Sequence, residues 1–270
     1  MSILELLIMV VAGLAIGFSM GTVGGGGAIL AVPVLVYAVH QTPLQATTGS
    51  LVVVGVTGVL GAWLAWRQRR LDVGQGLVFG AAAVAGSAVG ALAAHRVDAA
   101  VLMACFAVLM LVTGFTMVRK LVTPPTGAVH ESRPVWAEGR FDWAQVAKVA
   151  AVASVVGFLT GFLGVGGGFM IVPALTLVLG VPMRKAAGTS LMVIAISCAA
   201  ALVTRWVSEP SGVQPPWVLV APLVTFAVVG LLLGAAVAAR ANNRQLSMGF
   251  AVLVCGVALY TSAQALPALF

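Results

Sequence analysis

The sequence predicts an all-α polytopic membrane protein built from two inverted-topology repeats. Three observations carry that expectation: an apolar, charge-poor composition, a gapless internal repetition, and a one-sided distribution of positive charge. Each repeat is expected to hold a glycine-broken helical hairpin, either re-entrant or crossing twice, followed by three transmembrane helices.

The chain is 61% hydrophobic and 8% charged, with a mean hydropathy of +1.12. A soluble domain carries about 25% charged residues. Apolar runs occur at about 3–39, 45–66, 73–94 and 98–118, and again at about 144–179, 186–207, 217–239 and 246–266. Uncharged stretches of 18 or more residues read as membrane-spanning helices. The polar stretch between the two sets holds Pro124, Pro125 and Pro134 among Arg119, Lys120, Glu131, Arg133, Glu138, Arg140 and Asp142. The expected organisation is therefore a first transmembrane repeat over 1–118, a cytoplasmic linker over 119–143 and a second repeat over 144–270. The N-terminal run lacks a positive n-region and a small-x-small cleavage site, so it is expected to be retained rather than removed as a signal peptide.

The halves repeat each other. Residues 17–51 align with 157–191 without a gap, and 12 of the 35 pairs are identical. Chance in so biased a composition gives roughly three or four. The identities include Gly17/Gly157, Gly21/Gly161, Gly24/Gly164, Gly26/Gly166, Gly27/Gly167, Pro33/Pro173 and Ser50/Ser190. Further on, Gly86 and Gly90 match Gly230 and Gly234.

The orientation of the repeats follows from length and charge. As one helix, 3–39 would be about 55 Å long at 1.5 Å per residue, against a hydrocarbon core of about 30 Å. It must break, and Gly24–Gly27 is where it breaks. If both ends of each block return to one side, the loops there carry Arg67, Arg69, Arg70, Arg119, Lys120, Arg133, Arg140, Lys148, Arg184, Lys185, Arg240 and Arg244. The other side keeps Arg96 and Arg205. The positive-inside rule makes the rich side cytosolic. Both termini are then outside, in a multi-pass protein of the cell (inner) membrane, with its spans in the lipid bilayer.

A helix broken at matching places in inverted repeats points to a transporter's substrate site. Non-helical backbone at membrane depth persists where it is buried or lines a cavity. Gly24, Gly25, Gly26 and Gly27, with Gly164, Gly166, Gly167 and Gly168, permit such turns and close backbone approach. Pro33 and Pro173 lack an N–H and are expected to mark the helix break. The helix restarting after the glycines would offer free N–H groups to an anion. By contrast, Gly86/Gly90 and Gly230/Gly234 read as close helix packing. Gln45–Leu51 and Lys185–Leu191 open the following helices. Their Thr48, Ser50, Thr189 and Ser190 either cap a helix or donate to a bound oxyanion. Arg184 and Lys185 precede the second of these elements, as orientation charges or as cations that draw an anion in.

Other chemistry finds little support. No Lys-Ser/Thr follows the glycines, and their apolar flanks do not suit a dinucleotide fold. Cys105, Cys198 and Cys255 sit in apolar runs without metal-ligand spacing, so no metal and no cofactor is expected. No aromatic-interleaved basic arm suggests nucleic acid. The serines and threonines lack a neighbouring base, so no catalytic residue and no enzyme activity is expected. No acidic residue lies near the middle of a span, where proton-coupled carriers commonly place one.

The cluster "GFLTGFLGVGGGFMIVP" followed by "KAAGTSL", with "TTGSL" in the corresponding place of the first half, resembles the sulfite exporter TauE/SafE family over essentially the whole chain. The resemblance implies movement of a sulfur-containing anion, sulfite or an organosulfonate, by a carrier. An anion channel with the same site, or an importer of sulfate- or thiosulfate-type oxyanions, is the alternative. The expected partner is a small anionic substrate. The sequence leaves the oligomeric state open.

Overall fold

The computed structural model describes residues 3–28, 31, 35, 41, 43–94, 105, 108–109, 112–117, 119, 136–137, 140–163, 168–208 and 217–269. Helix α1 (Ile3–Val23) leads into a 3-10 turn at Gly25–Gly27. Helices α2 (Pro43–Arg67) and α3 (Val73–Ala94) follow. The second half holds α4 (Trp143–Leu163), α5 (Gly168–Pro173) with a π turn at Ala174–Val178, α6 (Met183–Ser208), α7 (Trp217–Arg240) and α8 (Asn243–Leu269). A two-stranded antiparallel pair, β1 (Trp136–Ala137) and β2 (Arg140–Phe141), falls within the expected linker. That pair is the departure from an all-helical chain among the described residues.

Among those residues, five helices are long and apolar enough to cross a membrane, and Leu7–Val23 forms a shorter apolar helix. The expected span over 98–118 and the return arm over 29–40 lie largely outside the described residues. Helix starts are set by local chemistry. Asp72 Oδ1 accepts from the Gln75 amide (3.0 Å), and Asp142 Oδ1 accepts from Ala144 (3.1 Å) and Gln145 (3.3 Å). These bonds satisfy first-turn donors that a helix leaves open. Before α8, Gln245 Oε1 accepts from the Asn242 amide at 2.9 Å, as in a capping box. Within the spans, Thr57, Thr160 and Thr176 donate to carbonyls four residues earlier at 2.7–2.9 Å. That is how a hydroxyl is accommodated where water is absent.

Glycine sets which helices meet. Methyls on Gly17 and Gly21 would overlap the carbonyls of Ala227 and Leu231, and methyls on Gly230 and Gly234 would overlap those of Leu14 and Phe18. Helices α1 and α7 therefore touch backbone to backbone. Helices α3 and α4 meet in the matching way. Gly157 and Gly161 abut the carbonyls of Ala83 and Ser87, while Gly86 and Gly90 abut those of Ser154 and Phe158. Small residues at four-residue spacing permit this approach. In both pairs residue numbers rise together, so α1 runs parallel to α7 and α3 parallel to α4. Helix α2 runs antiparallel to α6, with Gly55 beside Cys198 and Gly188 beside Ala65.

These directions gather the Arg67, Val73, Trp143, Met183 and Arg240 ends on one face. The Asp72 amide donating to Thr189 Oγ1 at 3.2 Å ties that face together. The Ile3, Ala94, Leu163, Ser208 and Trp217 ends lie on the opposite face. Exposed tryptophans stand near both: Trp66 and Trp143 at the first, Trp206 and Trp217 at the second. Trp at both helix ends is the pattern of a membrane interface. The buried interior is apolar, with Ile16, Met20, Phe79, Leu175, Ile194 and Phe250 essentially inaccessible.

Candidate functional site

Helix α1 ends at Val23 because Gly24 takes φ 84° and ψ −116°. A side chain is strained there, and glycine is not. Gly25, Gly26 and Gly27 then make one tight buried turn. The chain folds back on α1, since a methyl on Gly27 would overlap the Ile16 carbonyl. The turn also meets the second half. A methyl on Gly25 would overlap the Gly168 carbonyl, and one on Gly168 would lie 2.9 Å from the Gly25 carbonyl oxygen. The start of α6 closes the third side, where a methyl on Gly24 would lie 2.7 Å from the Ala187 carbonyl oxygen and overlap Ser190 Oγ. Gly24, Gly25, Gly27, Gly168 and Ser190 are thus brought to one place. Gly164, Gly166 and Gly167 lie outside the described residues, as does Pro33. A methyl on Gly26 would meet side-chain atoms rather than backbone, with Ser19 Oγ at 3.2 Å and Leu253 Cδ2 at 3.4 Å.

Pro173 does not break the helix. It has φ −57° and ψ −43° and lies inside α5, which widens into the π turn beyond it. Its missing N–H forfeits one α-type bond, and the wider turn rebuilds bonding with Leu179 N donating to Ala174 O at 3.1 Å. The expectation that Pro173 marks the break is corrected to that extent.

The four hydroxyls are engaged differently. Ser50 Oγ donates to Thr47 O at 2.9 Å, and Ser190 Oγ donates to Ala187 O at 2.8 Å. Each serine spends its single hydrogen within its own helix. Thr189 Oγ1 accepts from the Asp72 amide, and its side chain is fully buried. Thr48 Oγ1 and Thr47 Oγ1 accept from the Arg205 guanidinium at 2.5 and 3.0 Å. Thr48 therefore joins a cation at the second face rather than the Gly24–Gly27 turn.

Among the described residues, three uncharged polar side chains outside the predicted site are buried without a hydrogen-bond partner. They are Ser19 through Oγ, Gln41 through both amide atoms, and Gln75 through Nε2. Ser19 is 5% exposed and points at the Gly26 position. Gln41 Oε1 lies 3.9 Å from the methyl position of Gly49, next to Ser50. Gln75 is 1% exposed and precedes Gly76, which faces Thr189. A buried donor or acceptor left unmade costs about 1–3 kcal/mol. A polar ligand would satisfy it. The available signal was polarity inside an apolar run, since the partner of Ser19 in the repeat is Leu159 and that of Gln41 is Val181.

At the first face a narrow, solvent-open cleft lies between α1, α2, α6 and α7, lined by Thr22, Gln68, Arg70, Arg184, Ala187 and Gly188 among others. Arg184 closes the C-terminal end of α7 by donating to Ala239 O (2.9 Å) and Ala241 O (2.7 Å), with a longer contact to Ala238 O (3.4 Å). A cation there also complements the helix dipole. Burial, and secondarily the Arg184 charge beside it, lowers the pKa of Arg70. An arginine nevertheless stays charged at neutral pH. The Lys185 side chain is exposed. Among the described residues no three His, Cys, Asp or Glu side chains gather as a metal site requires.

The comparisons with known proteins agree with this architecture. Residues 9–261 match the family described as Sulfite exporter TauE/SafE. A "Probable membrane transporter protein" of Xylella fastidiosa strain Temecula1 is 32% identical over 267 residues, covering 96% of each chain. The "Probable membrane transporter protein YunE" of Bacillus subtilis is 28% identical over 257 residues, covering 91% of this chain and 93% of its own. No solved structure matches the chain. With apolar helices joined through glycines and a match along nearly its whole length, the chain belongs to the sulfite exporter TauE/SafE family of membrane transporters.

Proposed function

We propose that this transporter exports a small sulfur-containing anion, sulfite or an organosulfonate, by alternating access between two inverted repeats. The observation that carries the reading is the Gly24–Gly27 turn. Four consecutive glycines break a helix inside an apolar bundle, and the turn touches Gly168 of the other half. Backbone amides at such a break suit an anion. In this reading Gly24–Gly27 and Gly164–Gly168 hold the charge. Ser190 lies against the turn and Thr189 precedes it on α6, Thr48 and Ser50 would serve the substrate path nearer the second face, and Ser19 supplies a hydroxyl that is unpartnered in this structure. Since Ser50 and Ser190 donate to their own helices here, they contribute to binding through a change of partner as the repeats move.

Inversion is supported by the exchanged packing. Helix α1 of the first half pairs with α7 of the second, and α4 of the second pairs with α3 of the first, through equivalent glycines. A two-fold axis in the membrane plane generates that exchange. The face bearing Arg67, Arg69, Arg70, Arg184, Lys185 and Arg240 is then cytosolic, and the termini lie outside. An inside-negative potential drives an anion outward by about 2.3 kcal/mol per charge per 100 mV.

A binding screen tests the substrate class. Purified protein is heated with sulfite, sulfate, thiosulfate, sulfoacetate or taurine at matched ionic strength. A ligand at a hundred times its Kd stabilises the folded state by about 2.7 kcal/mol. Stabilisation by sulfite or sulfoacetate over chloride is expected. No response to any of the five would reject the reading.

A further inference from the structure

The cleft at the first face holds an arrangement that neither helix capping nor membrane orientation accounts for. Arg70 and Arg184 line it together, and among the described residues no acidic side chain does. The nearest carboxylate in sequence, Asp72, is turned to the start of α3, where its Oδ1 accepts from Gln75. Arg184 spends its terminal nitrogen on the α7 carbonyls, yet its Nε is buried with no acceptor. The Arg70 guanidinium makes no hydrogen bond among the described residues. Two like charges share a partly desolvated cleft, and desolvation first, with the Arg184 charge second, lowers the pKa of Arg70. Helix capping explains one edge of Arg184 and nothing of Arg70. Orientation by the positive-inside rule requires arginines in the loop but does not require them in one cleft.

We infer that this cleft is a cytosolic-side anion vestibule, in which Arg70 and the unpartnered Nε edge of Arg184 hold a small oxyanion before it reaches the glycine turn. A guanidinium fork matches the geometry of an oxyanion with two or more terminal oxygens. Ala187 and Gly188 belong to the cleft lining, and Ala187 also abuts Gly24, so the vestibule adjoins the turn. Ligand class follows from the site. Sulfite, sulfate and sulfonate head groups qualify, while chloride offers no second oxygen to the fork. The inference deepens the transport reading and rests on it for the direction of passage alone.

The test uses full-length reconstituted protein with Cys105→Ala, Cys198→Ala and Cys255→Ala, and a reporter introduced by Gln68→Cys in the cleft wall. Its modification rate is measured with an anionic and a cationic methanethiosulfonate reagent of similar size. Sulfate is then titrated against chloride at constant ionic strength. The anionic reagent is expected to react faster, and sulfate to protect the thiol saturably. Arg70→Gln should weaken protection by roughly 10- to 100-fold, the loss of a charge-assisted hydrogen bond. Arg70→Lys should restore part of the charge preference and less of the protection, because a point charge lacks the fork. Arg70 is the residue varied because Arg184 also closes α7. Sulfate protection that is absent, or unchanged in Arg70→Gln, overturns the vestibule. Protection sensitive to Arg70 in a protein that moves no sulfur anion would sustain the vestibule and sink the export reading instead.

Discussion

Gly25→Ala and Gly26→Ala are adjacent, chemically identical changes with opposite expected consequences. The Gly25 methyl would be driven into the Gly168 carbonyl. Backbone cannot rotate away as a flexible side chain does, so two halves of the bundle must separate locally. Overpacking of this kind costs about 1–3 kcal/mol and occasionally more. The Gly26 methyl meets Ser19 Oγ at 3.2 Å and Leu253 Cδ2 at 3.4 Å, both side-chain atoms that move by a few tenths of an ångström. Gly26 also does not share the left-handed φ of Gly24. Its replacement loses little in the fold and recovers about 0.4–1 kcal/mol by restricting the unfolded chain. Thermal unfolding of detergent-solubilised protein reads the difference. Gly25→Ala should be clearly destabilised and Gly26→Ala should stay close to the parent protein. The transport arm adds the functional point. A folded Gly26→Ala that no longer binds sulfite would tie the turn to the ligand, because packing is spared. Equal stability of Gly25→Ala and parent would refute the claim that the two halves touch backbone to backbone at the turn.

Three further outcomes are expected. Gly90→Ala and Gly234→Ala place methyls into the Phe158 and Phe18 carbonyls, so both should lower stability by similar amounts without changing anion selectivity. A loss of stability in one and none in the other, by the same unfolding assay, would contradict the equivalence of the two helix pairs. Ser19→Ala removes an unpartnered hydroxyl, so it should leave stability intact and weaken anion binding by roughly 10- to 100-fold, the worth of one hydrogen bond to a charged acceptor. Unchanged affinity would remove Ser19 from the site. Ala128→Cys should be labelled by an impermeant thiol reagent only in permeabilised cells, whereas Phe270→Cys should be labelled in intact ones; the reverse pattern would invert the proposed topology.

Much of the fold was legible because membrane burial writes itself into composition. The apolar runs at 45–66, 73–94 and 217–239 became helices at Pro43–Arg67, Val73–Ala94 and Trp217–Arg240. That a break occurs was legible from helix length, and its place at Gly24 from the glycine run. Pairing was not. The repeat alignment equates Gly17 with Gly157 and Gly86 with Gly230, but equivalence does not say what touches what, and the actual partners cross between halves. The hydroxyl positions were legible as sites of polar chemistry. Their bonding was not, because Thr48 depends on Arg205, which is 157 residues away in sequence. Arg70 and Arg184 were counted for sidedness, and a count along the chain carries no information on whether two loop charges share a cleft. Pro173 misled for a local reason, since a π turn absorbs a proline without ending the helix.

The central claim is that a sulfur-containing anion passes through this protein. The most direct measurement is sulfite efflux from proteoliposomes under an imposed inside-negative potential, with empty liposomes and Gly25→Ala protein as controls. The account predicts efflux that saturates with internal sulfite, rises with the potential and is competed by sulfoacetate. Sulfite efflux indistinguishable from that of empty liposomes, in a preparation shown to be folded, would contradict it.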